Sequence, residues 1–139
     1  MRAALVLSRE ALPECRPNPP VGCVIADTTG VVSQGFTGAP GQRHAEAAAI
    51  AGVARSANPS SLAAFVTLEP CAFRGRTPSC AQALVELGIG QVFVGIVDPD
   101  PRNNGKGLHM LRQAGVSVEV GILQEEVEQF LAPYLARPS

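Results

Sequence analysis

The residues of this chain that could do chemistry together are His44-Ala45-Glu46 and two cysteines, Cys71 and Cys80. An imidazole and two thiolates are donors that zinc prefers, and a catalytic zinc site uses three protein ligands and leaves the fourth position to water. Zinc lowers the pKa of such a water from about 15.7 to about 7, which makes it a nucleophile at neutral pH. Glu46 could then carry protons without binding the metal. These residues predict a hydrolytic zinc site.

The order of these residues is also informative. A His-x-Glu followed by Pro-Cys and a second cysteine is the signature of the zinc deaminases, which replace a ring amino group and release ammonia. That signature usually has two residues between the cysteines, whereas eight residues separate Cys71 from Cys80. The spacing alone therefore leaves two interpretations open, namely zinc ligands or small buried apolar residues, which free cysteines often are. Cys15 and Cys23 receive no functional assignment.

Longer motifs resemble the pyrimidine deaminases of riboflavin biosynthesis. Residues 67–80 resemble the zinc segment of that family, whose two cysteines enclose the same long insertion. Residues 17–24 resemble its N-terminal substrate strand, and residues 98–101 together with 105–107 resemble a later loop. The resemblance extends over nearly the whole chain, with the motifs in the same order.

The resemblance implies a fold, a cofactor and a set of contacts. The fold is the three-layer α/β/α arrangement of the cytidine deaminases, with a mixed five-stranded sheet and helices on both faces. The cofactor is Zn²⁺ bound by His44, Cys71 and Cys80, with Glu46 as the catalytic proton carrier. The remaining contacts would bind a pyrimidine and a sugar phosphate, to which a guanidinium binds well. They fall on Asn18, Thr37, Ala45, Phe73, Arg76 and Thr77.

Two positions depart from the family's pattern. The family usually has a histidine seven residues before the zinc histidine, where this chain has Thr37. It usually has another histidine two residues after the first zinc cysteine, where this chain has Phe73. Both histidines belong to the family's substrate pocket, and Phe73 instead offers an apolar face that can stack. The zinc chemistry is unaffected by these changes, whereas the substrate stays open.

Three functions therefore remain under consideration. The first is deamination of the diaminohydroxyphosphoribosylaminopyrimidine of riboflavin biosynthesis. The second is the same chemistry on another nucleobase, nucleoside or secondary-metabolite amino-heterocycle, which Thr37 and Phe73 motivate. The third is a non-catalytic, zinc-stabilised partner protein. Glu46 argues against the third, because a structural zinc site needs no proton carrier and usually has a fourth protein ligand.

The composition of the chain argues against several classes of protein. The chain has 139 residues, 46% hydrophobic and 17% charged, which is typical of one soluble domain. A net charge of −1, with five Phe, one Tyr and no Trp, argues against a nucleic-acid partner. No apolar run approaches the roughly 18 residues of a membrane span. The first ten residues are interpreted as a helix rather than a signal peptide.

We expect a single cytoplasmic domain over residues 1–139 that contains no reductase domain, so that any reduction step would need a separate reductase. The resemblance and the high apolar fraction also predict a homodimer or homotetramer that acts on a small molecule.

Helices and strands, which must position His44, Glu46 and the two cysteines, alternate along the chain. Apolar runs and turn residues predict them, and the alternation in the second half favours parallel strands with helices on both faces. One strand ends at Glu69-Pro70-Cys71, and open α/β sheets bind ligands at that edge. The predicted helices are 1–12, about 45–55, 80–87, 104–114 and 124–135, and the predicted strands are 21–26, 31–36, 62–68, 91–97 and 116–120.

Overall fold

A computed structural model describes residues 1–55, 57–73 and 78–135 of the chain. Its α-helices and strands lie close to the predicted ranges. The helices are α1 (Arg2–Ser8), α2 (Ala45–Ala51), α3 (Cys80–Leu87), α4 (Lys106–Gln113) and α5 (Gln124–Leu131). The strands are β1 (Gly22–Asp27), β2 (Gly30–Phe36), β3 (Ala63–Leu68), β4 (Gln91–Ile96) and β5 (Ser117–Val120). No helix in the described ranges is both long enough and apolar enough to cross a membrane.

The strands form one mixed sheet in the order β2-β1-β3-β4-β5. β1 is antiparallel to β2 and β3, whereas β3, β4 and β5 are parallel to one another. A tight turn joins β1 to β2, in which Asp27 Oδ1 accepts hydrogen bonds from the backbone N–H groups of Thr29 (2.7 Å) and Gly30 (3.2 Å). The predicted mixed five-stranded sheet is confirmed.

Helices cover both faces of the sheet, and two glycines show how closely they pack. A Cβ on Gly35 of β2 would lie 2.6 Å from the carbonyl oxygen of Ala45, so the alanine-rich helix α2 rests directly on that face. A Cβ on Gly22 of β1 would overlap the carbonyl oxygen of Ala4 in α1, on the other face. Side chains alternate between faces along a strand, and Cys23, next to Gly22, pairs with Gly35. The helices α2, α3 and α4 pack in a row on the first face, and α1 and α5 cover the second.

Several helix boundaries differ from the predicted ones. The helix predicted over 1–12 ends at Ser8 and is followed by a 3₁₀ turn over Arg9–Ala11, and the helix predicted over 124–135 ends at Leu131, before a 3₁₀ turn over Ala132–Tyr134. Two further boundaries have local reasons. The helix predicted over 45–55 ends at Ala51, and Gly52 follows it as the C-cap. The helix predicted from residue 104 begins at Lys106, because Gly105 stands before it in a left-handed conformation (φ 87°) that favours glycine. The core between the layers is formed by small and branched apolar residues, including the fully buried Ile25, Val66 and Leu84.

Candidate metal centre

The start of α2 places His44 and Glu46 together. His44 is the N-cap residue, with extended backbone angles (φ −70°, ψ 166°), and its carbonyl oxygen accepts the first helical hydrogen bond from Ala48 at 3.0 Å. Glu46 lies in the first helical turn and is 5% exposed. Because His44 precedes the helix and Glu46 lies within it, the imidazole and the carboxyl can reach the same space without sharing one helix face.

The two cysteines meet where β3 ends and α3 begins. Cys71 follows β3, and its carbonyl oxygen accepts a hydrogen bond from the N–H of Ala81 (3.0 Å). Its Sγ accepts one from the N–H of Cys80, the first residue of α3, at 3.4 Å. Ser79 caps α3 by accepting a hydrogen bond from the N–H of Gln82 (3.1 Å). The N-terminal end of α3 therefore points at the Cys71 sulfur and favours its thiolate.

The geometry of these side chains fits zinc. The donor atoms of His44, Cys71 and Cys80 all lie within 4.8 Å of one another, and His44 Nδ1 is 3.3 Å from Cys80 Sγ. Tetrahedral zinc, with Zn–N and Zn–S bonds of about 2.0 and 2.3 Å, needs such donors roughly 3.5–3.8 Å apart. The three donors could thus hold a zinc ion after small adjustments and leave its fourth position free.

The side chains of Glu46, Cys71 and Cys80 shift one another's pKa values. The side-chain hydrogen bond from Cys80, followed by the neighbouring His44, lowers the pKa of Cys71 to about 4. Cys80 donates that hydrogen bond, so its own pKa is raised above the ordinary value. Burial, and then the negative charge of Cys71, raise the pKa of Glu46 to about 7. Acidic groups this close together favour a cation between them.

A cavity of about 110 Å³ opens beside these residues. His44, Glu46 and Cys71 line it, and so do the predicted contacts Ala45 and Thr37. A wider hollow of about 650 Å³ shares the walls at His44 and Cys71 and continues along α3. A small molecule in the inner cavity would therefore meet the carboxyl of Glu46 together with His44 and Cys71. Cys80 lines the wider hollow next to it.

The surroundings of the other predicted substrate contacts vary. The hydroxyl of Thr37 accepts a hydrogen bond from the N–H of Val21 (2.9 Å), so it is already used within the fold. Asn18 is half-buried, and among the described residues its neighbour Pro19, rather than Asn18, lines the inner cavity. The predicted contacts Arg76 and Thr77 lie outside the described residues.

Phe73 forms part of the wall of both hollows and is 41% exposed. The guanidinium of Arg102 lies 5.0 Å from the centre of its ring, a cation–π distance. Arg102 also pairs with Asp100 at 2.6 Å. The sequence gives no sign of this stacking, because Phe73 and Arg102 lie in separate segments.

Sequence reasoning missed two buried polar residues next to the site. Glu69, directly before Pro70-Cys71, is 3% exposed, and Asn103 is 0% exposed. The Asn103 side chain forms hydrogen bonds with the backbone on both sides of Cys71. The Glu69 carboxylate accepts hydrogen bonds from Asp98 and Gly105, in the segment before α4. A glutamate between an apolar strand and Pro-Cys was a usable signal for Glu69, since a carboxylate at that position is expected to be buried.

Comparison with known proteins places the site in context. The family model described as the cytidine and deoxycytidylate deaminase zinc-binding region matches residues 1–96. The riboflavin biosynthesis protein RibD of Synechocystis sp. is 43% identical over 129 residues, which are 93% of this chain and 34% of that protein. RibD of Escherichia coli is 39% identical over 137 residues, or 99% of this chain and 37% of that protein. The chain spans about a third of the length of the curated relatives that it matches.

Solved structures agree with the sequence matches. Acinetobacter baumannii RibD superposes with a TM-score of 0.88 and 39% identity, covering 96% of this chain and 37% of that chain. The diaminohydroxyphosphoribosylaminopyrimidine deaminase/5-amino-6-(5-phosphoribosylamino)uracil reductase of Thermotoga maritima has a TM-score of 0.89 and 35% identity, covering 96% and 38%. These likenesses confirm the predicted three-layer fold and the resemblance noted in the sequence.

Proposed function

Because the chain belongs to the cytidine and deoxycytidylate deaminase family, whose zinc-binding region matches residues 1–96, we propose that it is a zinc-dependent hydrolytic deaminase. It would remove an exocyclic amino group from a small pyrimidine-type ring. The observation that carries this proposal is the convergence of His44, Cys71 and Cys80 beside the buried carboxyl of Glu46. A structural zinc site would use a fourth protein ligand and would need no acid at the open position.

The proposed site residues have two separate roles, metal binding and proton transfer. His44, Cys71 and Cys80 hold the zinc, which when bound supplies an activated water at the fourth position. Glu46 accepts a proton from the attacking water and delivers it to the amino nitrogen, which leaves as ammonia. Burial raises the pKa of this carboxyl above its ordinary value, which suits a group that must both accept and release a proton near neutral pH.

The walls of the inner cavity are partly apolar and suit a planar ring. Ala45 is fully buried and Leu68 is 8% exposed, so this side of the cavity is apolar. Phe73 contributes an aromatic face, on which a heterocycle can stack. These walls favour a planar ring whose amino-bearing carbon is directed towards Glu46.

The substrate that we propose first is diaminohydroxyphosphoribosylaminopyrimidine, the compound after which the T. maritima deaminase is named. Relatives at about 40% identity that match nearly the whole chain support it. Under this proposal Asn18 would contact the pyrimidine, and Arg76 with Thr77 would contact the phosphate. A separate reductase would then act on the product.

A second candidate is a deaminase of another amino-heterocycle, and two observations favour it. The Thr37 hydroxyl is bonded to Val21, and Phe73 is apolar, so neither presents a free polar group to a substrate. A nucleobase, nucleoside or secondary-metabolite precursor would suit such a cavity if it required fewer polar contacts.

The experiment that tests the proposal is ammonia release by the zinc-loaded full chain. The substrates are the riboflavin-pathway pyrimidine and a panel of cytosine, cytidine, dCMP, aminopurines and pterins. The pathway pyrimidine is expected to turn over with a kcat/KM at least a hundredfold above any other compound. Turnover of another compound alone would replace the first candidate with the second. Absence of turnover on every compound, with zinc bound, would contradict the deaminase assignment.

We also propose a cytoplasmic homodimer or homotetramer. All four cysteines are free thiols, which fits a reducing compartment. Val6 and Val31, on α1 and β2, are 63% and 60% exposed and could be covered by a second copy. Sedimentation velocity tests the assembly, and a monomer at micromolar concentration would contradict it.

A further inference from the structure

Two buried polar side chains lie against the backbone that carries Cys71, and the steps above assign neither of them a role. Glu69 is 3% exposed and Asn103 is 0% exposed. Burial of a polar side chain is unfavourable unless hydrogen bonds compensate for the lost water. The partners of these two side chains therefore indicate what they do in the fold.

Asn103 forms hydrogen bonds on both sides of Cys71. Its Oδ1 accepts a hydrogen bond from the N–H of Ala72 at 3.1 Å, and this contact fixes the amide orientation because a backbone N–H can only donate. Its Nδ2 then faces the carbonyl oxygens of Pro70 at 3.3 Å and Glu69 at 3.5 Å. The single peptide segment that contains Cys71 is thus held by one side chain from 31 residues away.

Glu69 links the same segment to α4. Its Oε1 accepts hydrogen bonds from the N–H groups of Asp98 and Gly105, both at 3.0 Å. Its Oε2 accepts one from the N–H of Leu108, in the first turn of α4, at 3.2 Å. These bonds fasten the segment that bears Asn103 to the end of β3.

The backbone of α4 packs so closely against Pro70 that the peptide before Cys71 has little space to move. A Cβ on Gly107 would overlap the carbonyl oxygen of Pro70 and would lie 3.3 Å from Glu69 Oε2. The first turn of α4 therefore lies directly on the peptide before Cys71. A shift of that peptide would have to break the bonds to Asn103 or move α4.

We propose that Asn103 and Glu69 are positioning residues for Cys71, and that this Glu69–Asn103 network holds its Sγ beside His44 and Cys80. The inference rests on the proposed function, because it concerns the same zinc site. It goes beyond that function by assigning a role to two residues whose hydrogen bonds reach the backbone around Cys71 and α4 rather than the side chains of the zinc donors. Outer residues of this kind commonly change metal affinity about ten- to a hundredfold when they are replaced.

The test compares two adjacent asparagines. Asn103→Ala removes the network's amide, and Asn104→Ala changes an exposed neighbour on the same segment. Val127→Ala, on the buried side of α5 against Gly95 of β4, serves as a destabilised variant on the opposite face of the sheet from α4. The measurements on each full chain are the zinc dissociation constant, by competition with a chromophoric chelator, and the sulfur-to-cobalt charge-transfer band after cobalt(II) substitution, which reports thiolate ligation.

The proposal predicts that Asn103→Ala weakens zinc binding about tenfold or more and reduces the cobalt charge-transfer band. Asn104→Ala and Val127→Ala should stay within about twofold of the parent chain. Asn103→Asp keeps an acceptor for the N–H of Ala72 but turns an oxygen towards the Pro70 carbonyl and the Asp98 carboxylate, so it should lose zinc affinity as well. It also serves as the test variant if Asn103→Ala does not fold.

Three results would overturn the inference. The first is that Asn103→Ala and Asn103→Asp both keep the zinc affinity of the parent chain. The second is that Val127→Ala loses as much zinc affinity as Asn103→Ala, which would make the effect one of general stability. The parent chain could also bind no zinc, which would overturn the metal site and the network together. Zinc binding that depends on Asn103, without any release of ammonia, would leave the network intact and reject only the proposed function.

Discussion

The molecule contains two buried glutamates beside the same cavity, Glu46 at the start of α2 and Glu69 at the end of β3. They are 5% and 3% exposed. The carboxylate of Glu69 accepts hydrogen bonds from three backbone N–H groups, those of Asp98, Gly105 and Leu108. The carboxyl of Glu46 instead shares the wall of the inner cavity with two of the proposed zinc donors, His44 and Cys71.

The difference shows that burial alone does not identify a catalytic acid. A carboxylate that accepts three backbone hydrogen bonds cannot give those bonds up without disturbing the chain. The carboxyl of Glu46 faces groups whose own charges change, and its pKa is raised to about 7 by burial and by Cys71. Glu46 is therefore suited to transfer protons, and Glu69 to hold the backbone.

The largest effect is expected from Glu46→Gln, which keeps the size of the side chain and removes the proton carrier. The value of kcat should fall about 10²- to 10⁴-fold, as is typical for loss of a general acid–base group. Zinc content and the free energy of unfolding should stay close to those of the parent chain. Stopped-flow or coupled ammonia assays measure kcat, and elemental analysis measures zinc. Retention of more than a tenth of the parent kcat would contradict the role of Glu46.

Gly107→Ala tests the structural role of Glu69, because it adds a methyl group where α4 packs against Glu69 and Pro70. The new Cβ would overlap the carbonyl oxygen of Pro70, so α4 must shift. We expect a loss of about 3 kcal/mol in unfolding free energy, at the upper end for overpacking. Urea unfolding at fixed free zinc measures it, with Asn104→Ala as the control on the same segment. A stability equal to that of the control would show that α4 does not rest on Pro70.

Glu69→Gln should affect stability and leave the chemistry nearly unchanged. A neutral amide can accept at its oxygen but turns an N–H₂ group towards at least one backbone donor. Hydrogen bonds to a charged group contribute about 1.5–3 kcal/mol, so a loss of about 2 kcal/mol is expected. With zinc saturating, kcat should stay within about threefold of the parent. A fall in kcat as large as that of Glu46→Gln would end the distinction between the two glutamates.

Phe73→Ala should have the smallest effect, and it should act on binding. Loss of the aromatic wall removes stacking worth about 0.5–1.5 kcal/mol, which corresponds to a rise in KM of about two- to tenfold. Because Phe73 contacts neither Glu46 nor the zinc donors by hydrogen bonds, kcat should change little. Steady-state kinetics separate the two constants. A fall in kcat with unchanged KM would indicate that Phe73 acts on the reacting ring rather than on its binding.

Most helices and strands of the fold could be predicted from the sequence. The apolar run 62–68 predicted a central strand, and the run 91–97 predicted another strand. The structure has β3 in the centre of the sheet and β4 next to it. Local signals are sufficient there, since a buried strand must be apolar along its own length. The candidate donors His44, Cys71 and Cys80 were likewise recognisable, because the chemistry of zinc restricts which residue types can bind it.

The rest could not be predicted, because it depends on contacts between distant segments. Asn103 and Ala72 are 31 residues apart, and nothing near either of them indicates that they meet. Thr37 reads as a polar pocket residue in the sequence, whereas its hydroxyl is bonded to Val21 across the end of the β1–β2 pair. Hydrogen-bond partners are set by the register and packing of the fold, which short motifs do not encode.

The most direct test of the account is X-ray absorption spectroscopy at the zinc edge of the full chain, compared with Glu46→Gln. The account predicts two sulfur neighbours at about 2.3 Å, one imidazole nitrogen at about 2.0 Å and one further light atom, with the same ligand set in both proteins. A spectrum that requires a fourth protein ligand, that lacks the two sulfurs, or that changes its ligand set in Glu46→Gln would contradict it.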